Sequence, residues 1–133
     1  MNDLFNVHMT DEELASVSVL GLANIGDAVY ELITRTSICI NGARTTQNIH
    51  RRTAERVCAP AQANASEKII SVLDEEEKSA FRRGRNAKVK TIPKGASLSE
   101  YHSATALETL FGYLYLKGKT ERIRELFQII SED

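Results

Sequence analysis

Apolar residues recur every three or four positions along nearly the whole chain, and no strict alternation of apolar and polar residues competes with them. That period belongs to helices with one buried side, not to strands. Thr10 with Glu13 forms a capping box and opens a first helix over 11–17; a second runs over 20–40, and Asn41-Gly42 ends it. A third helix fits 46–58, and Pro60 is placed to open a fourth over 61–73. Asp74 with Glu77 caps a fifth over 75–83. Periodicity is then lost from 84 to 96, where glycines and Pro93 predict a loop. Ser97 with Glu100 caps a sixth helix over 98–117, and Thr120 caps a last one over 121–130. The reading is an all-α fold without internal repeat or low-complexity segment, with 1–133 forming one domain.

Composition narrows the class. The chain has 133 residues, 42% apolar and 26% charged, which are ordinary values for a globular protein. A chain of this length buries roughly two-thirds of the surface it exposes when unfolded. Its longest apolar stretches, such as "ALETLFGYLYL", fall short of the ~20 residues a membrane span needs, and Glu108 interrupts that one. The N-terminus lacks the basic start, apolar stretch and small-residue cleavage site of a signal peptide. A cytoplasmic protein with no membrane association is expected. Cys39 and Cys58 have no metal-ligand spacing and read as packing residues. His8, His50 and His102 form no HExxH pattern, and neither GxSxG nor a P-loop glycine run is present. Serine hydrolase and nucleotide-binding readings therefore lose their usual support.

Chemistry concentrates at three places. On the second helix, a step of about 100° per residue puts Leu22, Ile25, Ala28, Val29, Leu32 and Ile33 on one arc and Asp27 opposite, near Asn24 and Glu31. Ala23 and Gly26 leave little bulk around that carboxylate. Glu108 likewise stands among Ala104, Thr105 and Gly112. Small residues of this kind also serve close helix packing, with each acid solvated or paired with an arginine. Read functionally, two carboxylates on rigid helices suit a hard cation such as Mg²⁺, which takes oxygen ligands and can activate water against a phosphodiester. The third place is "FRRGRNAKVKTIPK", where Arg82, Arg83, Arg85, Lys88, Lys90 and Lys94 occur without a single acid.

The net charge of −1 means that any nucleic-acid binding must come from this run together with His50, Arg51 and Arg52. A solvated charged loop is the plain alternative. Gly84 and Asn86 suit backbone or 2′-hydroxyl contacts in an RNA minor groove. The preceding "DEEEK" complements a helix macrodipole, and Tyr101, Tyr113 and Tyr115 read as core or interface packing.

With "NIGDAVYE", "RRGRNAK" and "SATALETLFGYLYL" in this order, the sequence resembles the ribonuclease III catalytic domain over roughly 20–117, and within that family its Mini-III branch. "RTAERVCAPAQA" is similar to the family's next helix. The resemblance implies an all-helical homodimer that cuts double-stranded RNA with Mg²⁺ into 5′-phosphate and 3′-hydroxyl ends. It also implies maturation of 23S ribosomal RNA precursors, leaves room for an assisting ribosomal protein, and implies that the separate double-stranded-RNA-binding domain is missing. By position, Asp27 matches the signature aspartate and Glu108 the metal-binding glutamate. Arg51, Arg52, Arg82, Arg83, Arg85, Asn86, Lys88 and Lys90 are the expected RNA contacts. Where the larger enzymes carry four further acids, this chain has Leu20, Ala23, Thr105 and, near the end of the third helix, a residue around Ala59. One well-held Mg²⁺ per site follows from that. Two other classes stay open at this stage: a non-catalytic RNA-binding or ribosome-associated module on the same fold, and a helical protein-interaction domain.

Overall fold

The computed structural model describes residues 3–88 and 94–132. Their regular structure is helical: α1 Asp11–Ala15, α2 Val19–Ile40, α3 Thr46–Val57, α4 Ala59–Ile69, α5 Glu75–Arg85, α6 Leu98–Lys117 and α7 Thr120–Ser131, with a 3₁₀ turn Ile70–Val72 after α4. No strand occurs among the described residues. The helix starts follow from local hydrogen bonding. All three capping boxes form, with Thr10 and Glu13, Asp74 and Glu77, and Ser97 and Glu100 each satisfying the other's backbone N–H. Asn41 ends α2 with Gly42 following at φ +125°, and Gly118 in the left-handed region ends α6.

Several boundaries differ from the sequence reading. Ser18 caps α2 through its side chain, so α1 stops at Ala15 and the two helices are separate. Helix α4 begins at Ala59 and tightens into the 3₁₀ turn before Leu73, instead of running from 61 to 73. Thr120 does not cap α7: it is the helix's first residue, and Lys119 precedes it with no side-chain cap. Helix α5 continues through Gly84 to Arg85, so the loop begins later. Pro93 and Lys90 lie outside the described residues.

Helix α6 runs through the centre. From Ala104 to Leu114 only Glu108 and Tyr113 escape full burial, because α1, α2, α4, α5 and α7 all pack around it. Its Leu107, Leu110, Phe111 and Leu114 form the core with Tyr30, Ile69, Phe81 and Leu126. The apolar arc read from the sequence of α2 is not the face that α2 buries. The buried positions are Leu22, Ala23, Gly26, Tyr30, Thr34 and Ile38, a face rotated by roughly a third of a turn from the arc. Leu20, Leu32 and Ile40 are 47%, 56% and 71% exposed. The small residues decide this rotation, since only they let two helix backbones come together. No described helix is long and apolar enough to cross a membrane.

Candidate active site

Helices α2 and α6 cross backbone against backbone. A Cβ added at Gly26 would overlap the Glu108 carbonyl and lie 2.7 Å from the Gly112 nitrogen; one added at Gly112 would overlap the Leu22 carbonyl and lie 3.0 Å from the Gly26 nitrogen. Ala23, Ala104 and Thr105, the other small residues around the two acids, are buried in the same region. They serve close helix packing, one of the two readings the sequence offered. The rotation of α2 also relocates Asp27. It stands opposite the apolar arc, but that places it at the edge of the buried face, exposed and directly beside Glu108 on α6.

The pair is electrostatically unsatisfied. Burial pushes the Glu108 carboxyl up to about 8, and the adjacent Asp27 carboxylate adds to this by repulsion and by accepting a hydrogen bond from the protonated form; Gln62 acts the other way. Among the described residues, neither acid is in an ion pair. Glu77 shows what a structural acid looks like in this fold. It is 3% exposed, and Arg122 holds both of its oxygens, at 2.8 and 3.0 Å. Among the described residues, no such cation pairs with Asp27 or Glu108.

Gln62, from α4, completes the site, and nothing in the sequence pattern pointed to it. It is 1% exposed, and its amide lies close enough to Glu108 to favour the ionised carboxyl, without a well-formed hydrogen bond at Nε2. A glutamine within the small-residue run "APAQANA" carries no periodic or motif signal. No third Asp, Glu, His or Cys joins the two acids among the described residues. Leu20 is exposed, Ala23 is buried, Ala59 is half-buried, and the buried Thr105 hydroxyl donates to the Tyr101 carbonyl at 3.0 Å. Two carboxylates in repulsion, with no cation paired to them among the described residues, fit a divalent cation that keeps several waters.

The described basic residues are spread over more than one element. Arg82, Arg83 and Arg85 are exposed on the last turn of α5, and Asn86 ends the helix. Arg85 and Asn86 line a cleft with Leu98, Ser99 and His102 at the start of α6, whereas Arg83 lines another with Asp11, Glu76 and Tyr113. Gly84, read from the sequence as suited to RNA contacts, lies within α5. It is buried, and a Cβ there would meet Thr109 and the Ala106 backbone. Lys88 is exposed. Arg51 and Arg52 are exposed on α3, which packs on α2 and α4, not on α5 or α6. The tyrosines serve packing and surface bonds: Tyr113 donates to Glu76 at 3.1 Å, and Tyr115 donates to the Leu4 carbonyl.

Residues 20–119 match the ribonuclease III domain family. A Mini-ribonuclease 3 of a Thermoanaerobacter species is 44% identical over 121 residues, covering 91% of this chain and 85% of that one. That of Clostridium tetani is 42% identical, with 91% and 81% covered. That of Kosmotoga olearia is 38% identical, with 100% and 90% covered. A crystal structure of a Fusobacterium nucleatum protein, 35% identical, superposes with a TM-score of 0.81 over 89% of this chain and 96% of its own. On these matches the chain belongs to the ribonuclease III family of endoribonucleases, alongside the Mini-ribonuclease 3 proteins.

Proposed function

We propose that this endoribonuclease cleaves double-stranded RNA with Mg²⁺ held by Asp27 and Glu108, leaving 5′-phosphate and 3′-hydroxyl ends. The family generally uses a divalent metal, acts on double-stranded RNA and is dimeric. The observation that carries the assignment to these residues is the unpaired carboxylate couple at the glycine crossing. When bound, Mg²⁺ would neutralise charge and ease deprotonation of the water that attacks phosphorus in line with the departing 3′ oxygen, which leaves as the 3′-hydroxyl. Asp27 and Glu108 fix the coordinating oxygens on rigid helices before RNA arrives. Asp27, the more exposed of the two, takes the proton of the attacking water. Gln62 donates its free amide N–H to an oxygen at the site. Arg82, Arg83, Arg85, Lys88 and Lys90 of the basic run, with Arg51 and Arg52, hold phosphates, and Asn86 reaches a sugar hydroxyl.

The active form in this reading is a homodimer. Leu20, Asn24, Ala28, Leu32, Thr36 and Ile40 form an exposed ridge along α2, spaced one helical turn apart. Joining two such ridges covers apolar surface that the single chain leaves in water and puts both Asp27 residues near the seam. The likeness to the Mini-ribonuclease 3 proteins supports a cytoplasmic role in maturing 23S ribosomal RNA precursor ends, with the whole chain acting as one catalytic domain.

Incubating the purified protein with a long RNA duplex, with Mg²⁺ or with chelator, tests this reading. Metal-dependent cleavage to 5′-phosphate ends is expected. Binding without cleavage across a range of duplexes and metals would instead identify a non-catalytic RNA-binding module.

A further inference from the structure

Two turns beyond Asp27, on the same side of α2, Thr34 is 1% exposed and its hydroxyl has no hydrogen-bond partner. This sets it apart from Thr36, Thr53, Thr105 and Thr109, which each donate to the carbonyl four residues back at 2.7 to 3.0 Å. Thr34 is among the residues that line an open cleft of about 220 Å³ between α2, α3, α4 and α7. The other polar groups around it are mostly donors. They comprise the Tyr30 hydroxyl, the Asn64 amide, the Arg56 guanidinium and the Lys68 ammonium, against the single carboxylate of Glu55. Arg56 is in no ion pair among the described residues, and its charge acts on the Tyr30 hydroxyl against the burial that pushes that group up to about 12. Lys68 donates to the carbonyls of Ile130 and Glu132, at 3.1 and 2.9 Å, which leaves one N–H for the cleft.

A metal ion would need carboxylates and carbonyls here, and an apolar ligand would leave the donors unpaired. Donors arriving from α2, α3 and α4, two of them cationic, match a tetrahedral oxyanion. We propose that this cleft binds a phosphate group, held by Arg56, Asn64, the Thr34 and Tyr30 hydroxyls and the remaining N–H of Lys68. The phosphate is a free anion or the 5′ end of a nucleic acid strand. Seven residues along α2 set the cleft about 10 Å from Asp27 along the helix axis, so it is a second site and its occupancy does not depend on the cleavage chemistry.

Thermal unfolding of the full chain, titrated with inorganic phosphate against chloride at equal ionic strength, reads the binding directly. A saturable rise in Tm is expected. Thr34→Val and Arg56→Gln should each weaken it by about tenfold, the loss of one charge-assisted hydrogen bond, while Thr34→Ser retains it. Helical circular dichroism without phosphate establishes that each variant folds. Short RNA strands with 5′-phosphate or 5′-hydroxyl ends separate the two sources. A preference for the phosphorylated strand that Thr34→Val abolishes assigns the cleft to an RNA end, and phosphate-driven stabilisation without that preference assigns it to a free anion. No saturable stabilisation, or equal stabilisation in Thr34→Val and Arg56→Gln, overturns the proposal.

Discussion

Gly26 and Gly112 stand where α2 and α6 touch, each leaving no room for a Cβ against the other helix's backbone. That contact sets Asp27 beside Glu108. Gly26→Ala should therefore cost about 1–3 kcal/mol or more, because two helix backbones must separate to admit one methyl group. Urea unfolding measures it, and unchanged stability would mean that the helices do not meet this closely.

Titration of Glu108 should be visible in stability. Its carboxyl is raised to about 8 from an ordinary value of 4.5, so between those pH values the folded chain holds a proton that the unfolded chain has released. Stability in chelator should fall as pH rises through that window and level off above it. Glu108→Gln should remove this component of the slope, and Mg²⁺ should oppose it by favouring the ionised form. Urea midpoints at a series of pH values give the comparison; identical slopes in parent and variant would contradict it.

Arg122→Ala should destabilise by about 3–5 kcal/mol, since it strands the buried Glu77 carboxylate without its bidentate partner. A loss within the range of ordinary surface substitutions, about 0.5 kcal/mol, would show that water reaches Glu77 readily. Denaturant unfolding distinguishes the two.

Leu32 is more than half exposed, so Leu32→Glu should leave the single chain folded. Sedimentation should show the parent as a dimer and the variant shifted towards monomer, with weaker cleavage of duplex RNA. A parent that sediments as a monomer at working concentrations rules out the α2 ridge as the seam.

Neutralising Arg85 and Lys88 should weaken duplex binding and reduce the slope of log affinity against log salt by roughly one for each phosphate left without its cation. An unchanged slope removes this segment from the RNA interface.

The helices were legible because their start signals are local. Thr10 with Glu13, Asp74 with Glu77, and Ser97 with Glu100 each satisfy the backbone within one turn, whatever the rest of the chain does. The two acids were legible because each stands among small residues, Asp27 beside Gly26 and Glu108 near Ala104 and Gly112. What α2 buries was not, because a wheel ranks faces by apolar content, whereas the backbone contact at Gly26 selected a face containing Tyr30 and Thr34. Gly84 was misread for the same reason: glycine breaks helices in isolation, yet here it lets α5 lie against Thr109. Gln62 and the division of the arginines between two clefts depend on how helices dock, which no single-helix pattern encodes.

The most direct measurement is duplex cleavage under single-turnover conditions by the parent, Asp27→Asn and Glu108→Gln, with RNA binding followed in parallel. Both variants should bind RNA close to the parent's affinity and cleave it slower by roughly a thousandfold or more. Near-parental cleavage by either variant at ordinary Mg²⁺ would contradict the assignment of this carboxylate pair as the catalytic centre.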